Sequence, residues 1–574
     1  MKRRSLAFAA VTTLAVGVLL GMQARDAIGG DDAYQQLQKL EEAYSHVVRS
    51  YVERVDTSEL AEDAILGMLE GLDPHSSYIS GEDMARVREN FDATFEGIGI
   101  YYEFVEGPDG QDTLAVLMPI AGGPSEEAGI QAGDRIVAID DSSAIGFQTD
   151  DVQRTLKGPK GSLVDVTVRR AGFARPITFN IRRDKIPIET VIAAHMIDER
   201  TGYIKLQRFA RTSYAEFMDA MQMLQRQGMT RLVFDLRDNA GGLMDQAVRI
   251  VDEFLPAGQM IVYTDSRHEG FSREHFARGG GRFEQKPIIV LVNENSASAS
   301  EIVAGAIQDH DRGLLVGRRT FGKGLVQQQF PLSDGSVLQM TVSRYHTPTG
   351  RLIQTPYVRG EGAEAYYEGK LELREGSRDS LLAYTNGEIR AVPSRVFGAD
   401  LPDSLRFETD GGRPVYGGGG ILPDYIVPSD SMAAPVRATI RRGLDNEFAR
   451  AYLDRQGDAF RETWDGRQTE FVRTWSLPES EWDAFLAYLE SHDVEVVDEL
   501  PAEVEDDEAV LTRSDLAASR QEIASRLKAF VARRLYGIEA WYPVIQEEDE
   551  TFQEAMRLWD EALGLASAEP GRNR

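Results

Sequence analysis

The chain has 574 residues, 42% of them hydrophobic and 27% charged, with a formal net charge of −30 from 63 basic and 93 acidic side chains, and no cysteine. That length implies several domains of ~100–200 residues each. The composition excludes wholesale disorder and a multi-span membrane protein, and the missing cysteines exclude disulfides, thiolate metal sites and a cysteine nucleophile. A surface so acidic repels nucleic-acid phosphates, so no nucleic-acid partner is expected.

Lys2, Arg3 and Arg4 precede an apolar run from Leu6 to Met22. A basic cap before such a run is the pattern of an export signal. Its length also reaches the lower limit for a membrane-spanning helix. Residues 1–30 are therefore read as a signal peptide or an N-terminal membrane anchor, the anchor being the one membrane contact expected. Everything beyond is expected to be exported, into a bacterial periplasm or cell envelope.

Residues 31–94 read as helical. Leu37, Leu40, Tyr44 and Val47 recur at helical spacing, and the apolar run Leu60 to Leu72 stops at Asp73-Pro74. Residues 95–184 change character. Short β-branched runs such as Ile136-Val137-Ala138-Ile139 and Val164-Asp165-Val166-Thr167-Val168 alternate with glycine turns, which predicts a compact β-rich module.

Residues 188–428 read as α/β. A stripe of Tyr214, Phe217, Met221 and Leu224 predicts a helix closed by Gly228. The runs Leu232 to Leu236 and Ile288 to Val292 predict buried strands, each followed by a loop and a helix. That alternation implies a largely parallel sheet with its site at the strands' C-terminal ends. The polar, poorly periodic stretch 355–416 reads as an insertion. Beyond residue 429 the chain reads as a charged helical domain that does no chemistry. Its stripes are Trp482, Phe485, Leu486 and Leu489, then Leu516, Ile523, Leu527, Phe530 and Leu535, the second ended by Gly537; the acidic run Glu503 to Glu508 reads as a linker.

Three stretches carry chemistry. Asn295-Ser296-Ala297-Ser298-Ala299-Ser300-Glu301 follows the strand 288–292. A serine on a strand-to-helix turn presents its hydroxyl above the sheet, beside first-turn amides that have no intrahelical partner. The same residues also suit plain helix capping. Phe321-Gly322-Lys323-Gly324-Leu325-Val326-Gln327 brackets a lysine with glycines; in an extended segment Lys323, Leu325 and Gln327 share a side. A lysine buried there loses its charge readily and can accept a serine proton; a surface turn is the alternative. Asp235-Leu236-Arg237-Asp238-Asn239-Ala240-Gly241-Gly242 exposes glycine amides suited to an oxyanion, though it also reads as an ordinary turn. His310, between Asp309 and Asp311, reads as a solvated helix end rather than a catalytic base.

In this order the three stretches resemble the carboxyl-terminal processing (tail-specific) serine proteases. The likeness continues in Leu72-Asp73-Pro74-His75-Ser76, in Gly97-Ile98-Gly99-Ile100 with Pro124 to Ile130 and Gly133-Asp134, in Tyr345 to Gly350 and in Gly420 to Asp424. It spans about residues 60–428. The resemblance implies a multidomain α/β protein: a crotonase/Clp-protease-like α/β protease core carrying an inserted β-rich PDZ domain, with helical N- and C-terminal segments. It implies Ser298 as nucleophile, Lys323 as general base and Gln327 as the residue that positions it. The oxyanion hole it implies is the N–H of Ala299 with that of Gly241 or Gly242. Gly97, Ile98, Gly99 and Ile100 would hold a substrate's C-terminal carboxylate, so the partners expected are protein substrates bound through their C-termini, with an adaptor protein able to dock on the insertion or the tail. No metal or other cofactor is expected. Two other readings use the same features: a PDZ scaffold without activity, and an acyl-CoA enzyme with paired backbone donors, which export disfavours.

Overall fold

Glycine turns and β-branched runs do in this chain what their spacing predicts, and the computed structural model describes them over residues 31–106, 111–170, 172–358, 364, 366–367, 370, 405–428, 432–500 and 510–567. The expected signal or anchor at 1–30, most of the 355–416 insertion and the acidic run 503–508 lie outside the described residues. Described residues up to Tyr78 form one unit, and those from Ile79 onward form a second.

The first unit is helical. Helix Asp31–Ser50 is followed by helix Thr57–Glu70, whose N-cap Asp56 accepts hydrogen bonds from the Ser58 and Glu59 amides. Asp73 then folds the Asp-Pro-His-Ser turn, accepting from the amides of His75 and Ser76 and from the Ser76 hydroxyl.

In the second unit the β-rich module forms as a self-contained sheet. Strands Ile100–Glu106, Asp112–Pro119, Arg135–Ile139, Leu163–Arg169 and Ile177–Arg182 lie side by side in that order, every pair antiparallel. Leu163–Arg169 alternates exposed and buried positions, so Val164, Val166 and Val168 enter a core with Leu114, Val116, Ile136 and Ile181. Strand Thr94–Gly97 leads in, strand Asp184–Pro187 leads out, and the two pair antiparallel. The module is thereby closed off as an insert.

The α/β core is a six-stranded sheet in the order Val191–Met196, Thr201–Leu206, Arg231–Asp235, Ile288–Val292, Leu314–Gly317, Tyr425–Ile426. Its first pair is antiparallel and the other four are parallel. Helices Ser213–Arg226, Met244–Asp252 and Ala299–Asp309 cover one face, packing Phe217, Ile250 and Val303 onto Phe234, Val290 and Leu315. Beside this layer, strands Met260–Asp265, Arg273–Phe276, Leu325–Pro331 and Val337–His346 form an antiparallel sheet.

The opposite face of the six-stranded sheet is covered by the end of the chain. Phe552, Ala555, Trp559 and Ala562, from helices Glu550–Arg557 and Trp559–Ser567, pack on Tyr203, Val233, Ile289, Leu291 and Val316. The separate tail domain expected from residue 429 is thus two things. Residues 434–545 build helical cores of their own, with Trp482, Phe485, Leu489, Leu516, Ile523 and Leu527 in one of them. The last two helices are a layer of the six-stranded core. Helix Ala299–Asp309 is also buried on both sides, which explains its run of small residues Ala304-Gly305-Ala306; a Cβ at Gly305 would lie 2.7 Å from Thr347.

Candidate active site

Strand Ile288–Val292 delivers the serine turn to the C-terminal edge of the parallel sheet. Ser298 sits at the head of helix Ala299–Asp309 with φ 54° and ψ −110°, a backbone conformation that side-chain-bearing residues rarely adopt. The three serines of the turn differ. Ser296 is fully buried; its hydroxyl accepts from the Asn293 amide and donates to the Leu236 carbonyl. Ser300 is equally buried and donates to the Asn239 carbonyl. Ser298 is half-buried; its N–H donates to Glu301, and its carbonyl accepts from the Tyr345 hydroxyl at 3.0 Å.

Lys323 lies in the loop before strand Leu325–Pro331. It does not share the strand with Leu325 and Gln327 as an extended segment would require. The register shift at Val326 and Gln327 leaves Val342 of the partner strand as the extra, unpaired residue. The Lys323 Nζ donates to Gln327 Oε1 at 2.7 Å.

Glu301 joins the two stretches. Fully buried, it accepts from the amides of Ser298 (2.8 Å), Gly322 (2.7 Å) and Lys323 (2.9 Å) and from the Thr320 hydroxyl (2.6 Å). The Ser298 and Lys323 amides converge on the same oxygen. Burial pushes the Glu301 carboxyl above its ordinary pKa, with these donors pulling the other way. Residue type alone assigns Glu301 no role. The signal was present: Ser298 and Glu301 stand in the S-x-x-E spacing of a capping box.

The Asp235–Gly242 stretch is latched to the serine turn. Asp238, at φ 62°, accepts from the side-chain amides of Asn293 and Asn295. The Asn239 carbonyl accepts from the Ala297 amide. A Cβ at Gly241 would stand 2.8 Å from the Ser298 Cβ and 3.0 Å from the Ala299 nitrogen, so only glycine fits there. The two candidate glycines differ in their surroundings: the Gly241 N–H donates to Asn239 Oδ1 at 2.9 Å, whereas Gly242 abuts the Phe209 backbone. An open cleft of about 340 Å³ runs beside them, walled by Phe91, Gln207, Phe209, Gly241 and Gly242.

His310 caps the far end of the helix that Ser298 begins. Its side chain is 8% exposed and bridges Asp410 and the Met260 carbonyl, so it is a buried brace rather than the solvated helix end expected. Eleven helical residues separate it from Ser298, about 16 Å.

A family model for Peptidase family S41 matches residues 200–360, and one for the PDZ domain matches 116–170. Residues 20–83 match the activating protease CtpB N-terminal domain, and 436–537 match a family of unknown function, DUF8443. A carboxy-terminal-processing protease of Bartonella bacilliformis is 35% identical over 358 residues, 62% of this chain and 81% of that protein. The carboxy-terminal processing protease CtpA of Bacillus subtilis is 35% identical over 342 residues, 59% of this chain and 71% of its own. The chain belongs to the carboxy-terminal processing proteases. It is a serine-type protease of multidomain α/β fold with a PDZ domain.

In this protease the segment Gly97-Ile98-Gly99-Ile100 joins the strand leading into the PDZ domain to strand Ile100–Glu106. Gly99 has φ +76°, and a Cβ there would meet Ile186 at 2.9 Å. The Ile98 carbonyl is held by the amide and hydroxyl of buried Ser125. Strand Ile100–Glu106 is at the end of its sheet, paired with Asp112–Pro119 on one side. The Lys323 loop and the Ser298 turn therefore belong to the S41 core, and the 97–100 segment to the PDZ domain some 200 residues earlier.

Proposed function

We propose that this protease cleaves exported proteins near apolar C-terminal tails with a serine–lysine dyad. The observation that carries the reading is the Glu301 junction: one buried carboxylate oxygen accepts the amides of both Ser298 and Lys323, while Gln327 holds the Lys323 amine at 2.7 Å. In this reading neutral Lys323 takes the Ser298 proton as the oxygen attacks the scissile carbonyl. The oxyanion forms against the Ala299 N–H, the free donor at the head of its helix, with a glycine amide of 241–242 as its second partner. Because the Gly241 N–H faces Asn239, Gly242 is the donor available without a peptide rotation. The protonated lysine then gives its proton to the leaving amine, and water hydrolyses the acyl-enzyme by the reverse sequence. Gln327 orients the amine throughout.

Substrate enters as an extended C-terminal segment. Strand Ile100–Glu106 offers an edge for β-addition, and the amides of 97–100 are the donors for the terminal carboxylate. The apolar wall of Phe91 and Phe209 beside Gly241 is in place to receive side chains near the cleaved bond. The basic and apolar N-terminal pattern supports export, either as a signal or as an anchor.

The experiment is the pH dependence of kcat/KM for wild type, Lys323→Arg and His310→Ala. Activity is expected to climb with pH in wild type and in His310→Ala and to vanish in Lys323→Arg, whose guanidinium stays protonated. Cleavage by Lys323→Arg at near wild-type rate would overturn the dyad.

A further inference from the structure

Beneath the loop that faces Ser298 lies a cluster of charges. Asp235, fully buried at the end of its strand, accepts from Arg237 Nε and Nη2 and from the Tyr203 hydroxyl at 2.7 Å. The Lys205 ammonium is 3.5 Å from the same carboxylate and donates to the Arg237 carbonyl at 3.0 Å. Burial alone would raise the Asp235 carboxyl, but Arg237 and Lys205 outweigh it and hold it well below its ordinary range. Lys205 also feels half-buried Asp238 of the same loop. Asp549, at the head of tail helix Glu550–Arg557, is the second carboxylate on the guanidinium: Arg237 Nη1 reaches its Oδ1 at 2.9 Å and Nη2 its Oδ2 at 2.7 Å, with both side chains mostly buried.

We infer that Asp549 is a positioning residue for the catalytic loop, and that the tail is a working part of the protease. Arg237 opens the loop whose Gly241, four residues on, touches the Ser298 turn. With Asp549 present, the guanidinium is clamped from both sides. Without it, the mostly buried guanidinium loses its second carboxylate and draws in water or moves, and the loop moves with it. Small displacements of donors around a developing oxyanion are costly in rate. The inference rests on the assignment of this loop to the oxyanion side of Ser298.

Asp549 also caps its helix, accepting from the Phe552 amide at 3.0 Å. Asparagine is an equally good cap without the charge, so Asp549→Asn separates the two tasks in the full-length protein. Cleavage of a quenched fluorogenic peptide with a free C-terminus is measured at a temperature where circular dichroism shows every variant folded. For Asp549→Asn the expected result is a kcat lowered ~10-fold or more with KM little changed; Asp549→Glu, which keeps the charge, stays closer to wild type. Trp559→Phe loosens the same tail layer away from Arg237 and is expected to keep its kcat. A wild-type kcat in Asp549→Asn, or equal losses in Asp549→Asn and Trp559→Phe, would overturn the inference. Ser298→Ala sets the zero of the assay; cleavage by that variant would refute the nucleophile assignment, while the comparison at position 549 would still be read against wild type.

Discussion

The two faces of the six-stranded sheet are both buried, yet they are built from different stretches of chain and do different things. One face is covered by helices that alternate with the strands, so each helix begins where a strand ends, and the loops at those joints carry Gly241 and Ser298. The other is covered by two helices that arrive some 120 residues after the last strand of the sheet, with Phe552 and Trp559 as their apolar anchors. The proposed chemistry falls on the first face because a parallel sheet puts unpaired helix amides at one edge. The second face contributes cover, and a charge against Arg237 through Asp549.

The largest effect separates the faces most cleanly. Ser298→Ala is expected to lower kcat by about 10^4-fold or more while leaving the unfolding midpoint almost unchanged, since it removes one hydroxyl from a half-buried turn. A chain ending near residue 428 tests the converse. It exposes Val233, Ile289 and Leu291, and is expected to lose cooperative unfolding; a soluble, cooperatively folding product would show that the tail layer is dispensable. In the full chain, Phe552→Ala is expected to cost ~3–5 kcal/mol of stability, read by denaturant titration.

A pH effect sharpens the same contrast. His195, on sheet strand Val191–Met196, donates its Nε2–H to Gln546 Oε1 at 3.1 Å, and burial lowers its pKa from 6.5 to about 4 despite that bond. The unfolded chain takes up the proton first. The stability from neutral His195 is therefore complete above pH ~6.5 and is lost as pH falls toward 4, up to ~3 kcal/mol. His195→Asn is expected to flatten stability against pH in that window; an unchanged acid limb would show that other groups set it. The smallest effect belongs to the serine turn. Ser300→Ala removes one buried hydrogen bond to the Asn239 carbonyl and is expected to cost ~1 kcal/mol, with measurable cleavage retained.

Much of this was legible in the sequence because it is local. Period-two burial in 163–169, the stripe from Tyr214 to Leu224 and the apolar strand 288–292 each follow from a few neighbouring residues. The serine, lysine and glycine stretches stand out by residue type, their roles follow from the family resemblance, and Glu301 stands in a capping-box position. Local spacing set Gln327 on the side of Lys323, and the amine donates to it at 2.7 Å; spacing could not show that His310 is buried against Asp410, a hundred residues away. What the sequence by itself determined is therefore the set of elements and the residue types at their joints. Only the tertiary structure decided which distant groups meet: Glu301 with the Lys323 loop, and Asp549 with Arg237. Those meetings depend on burial and on charge neutrality within the packed core, where an unpaired ion or amide is costly wherever in the chain its partner lies.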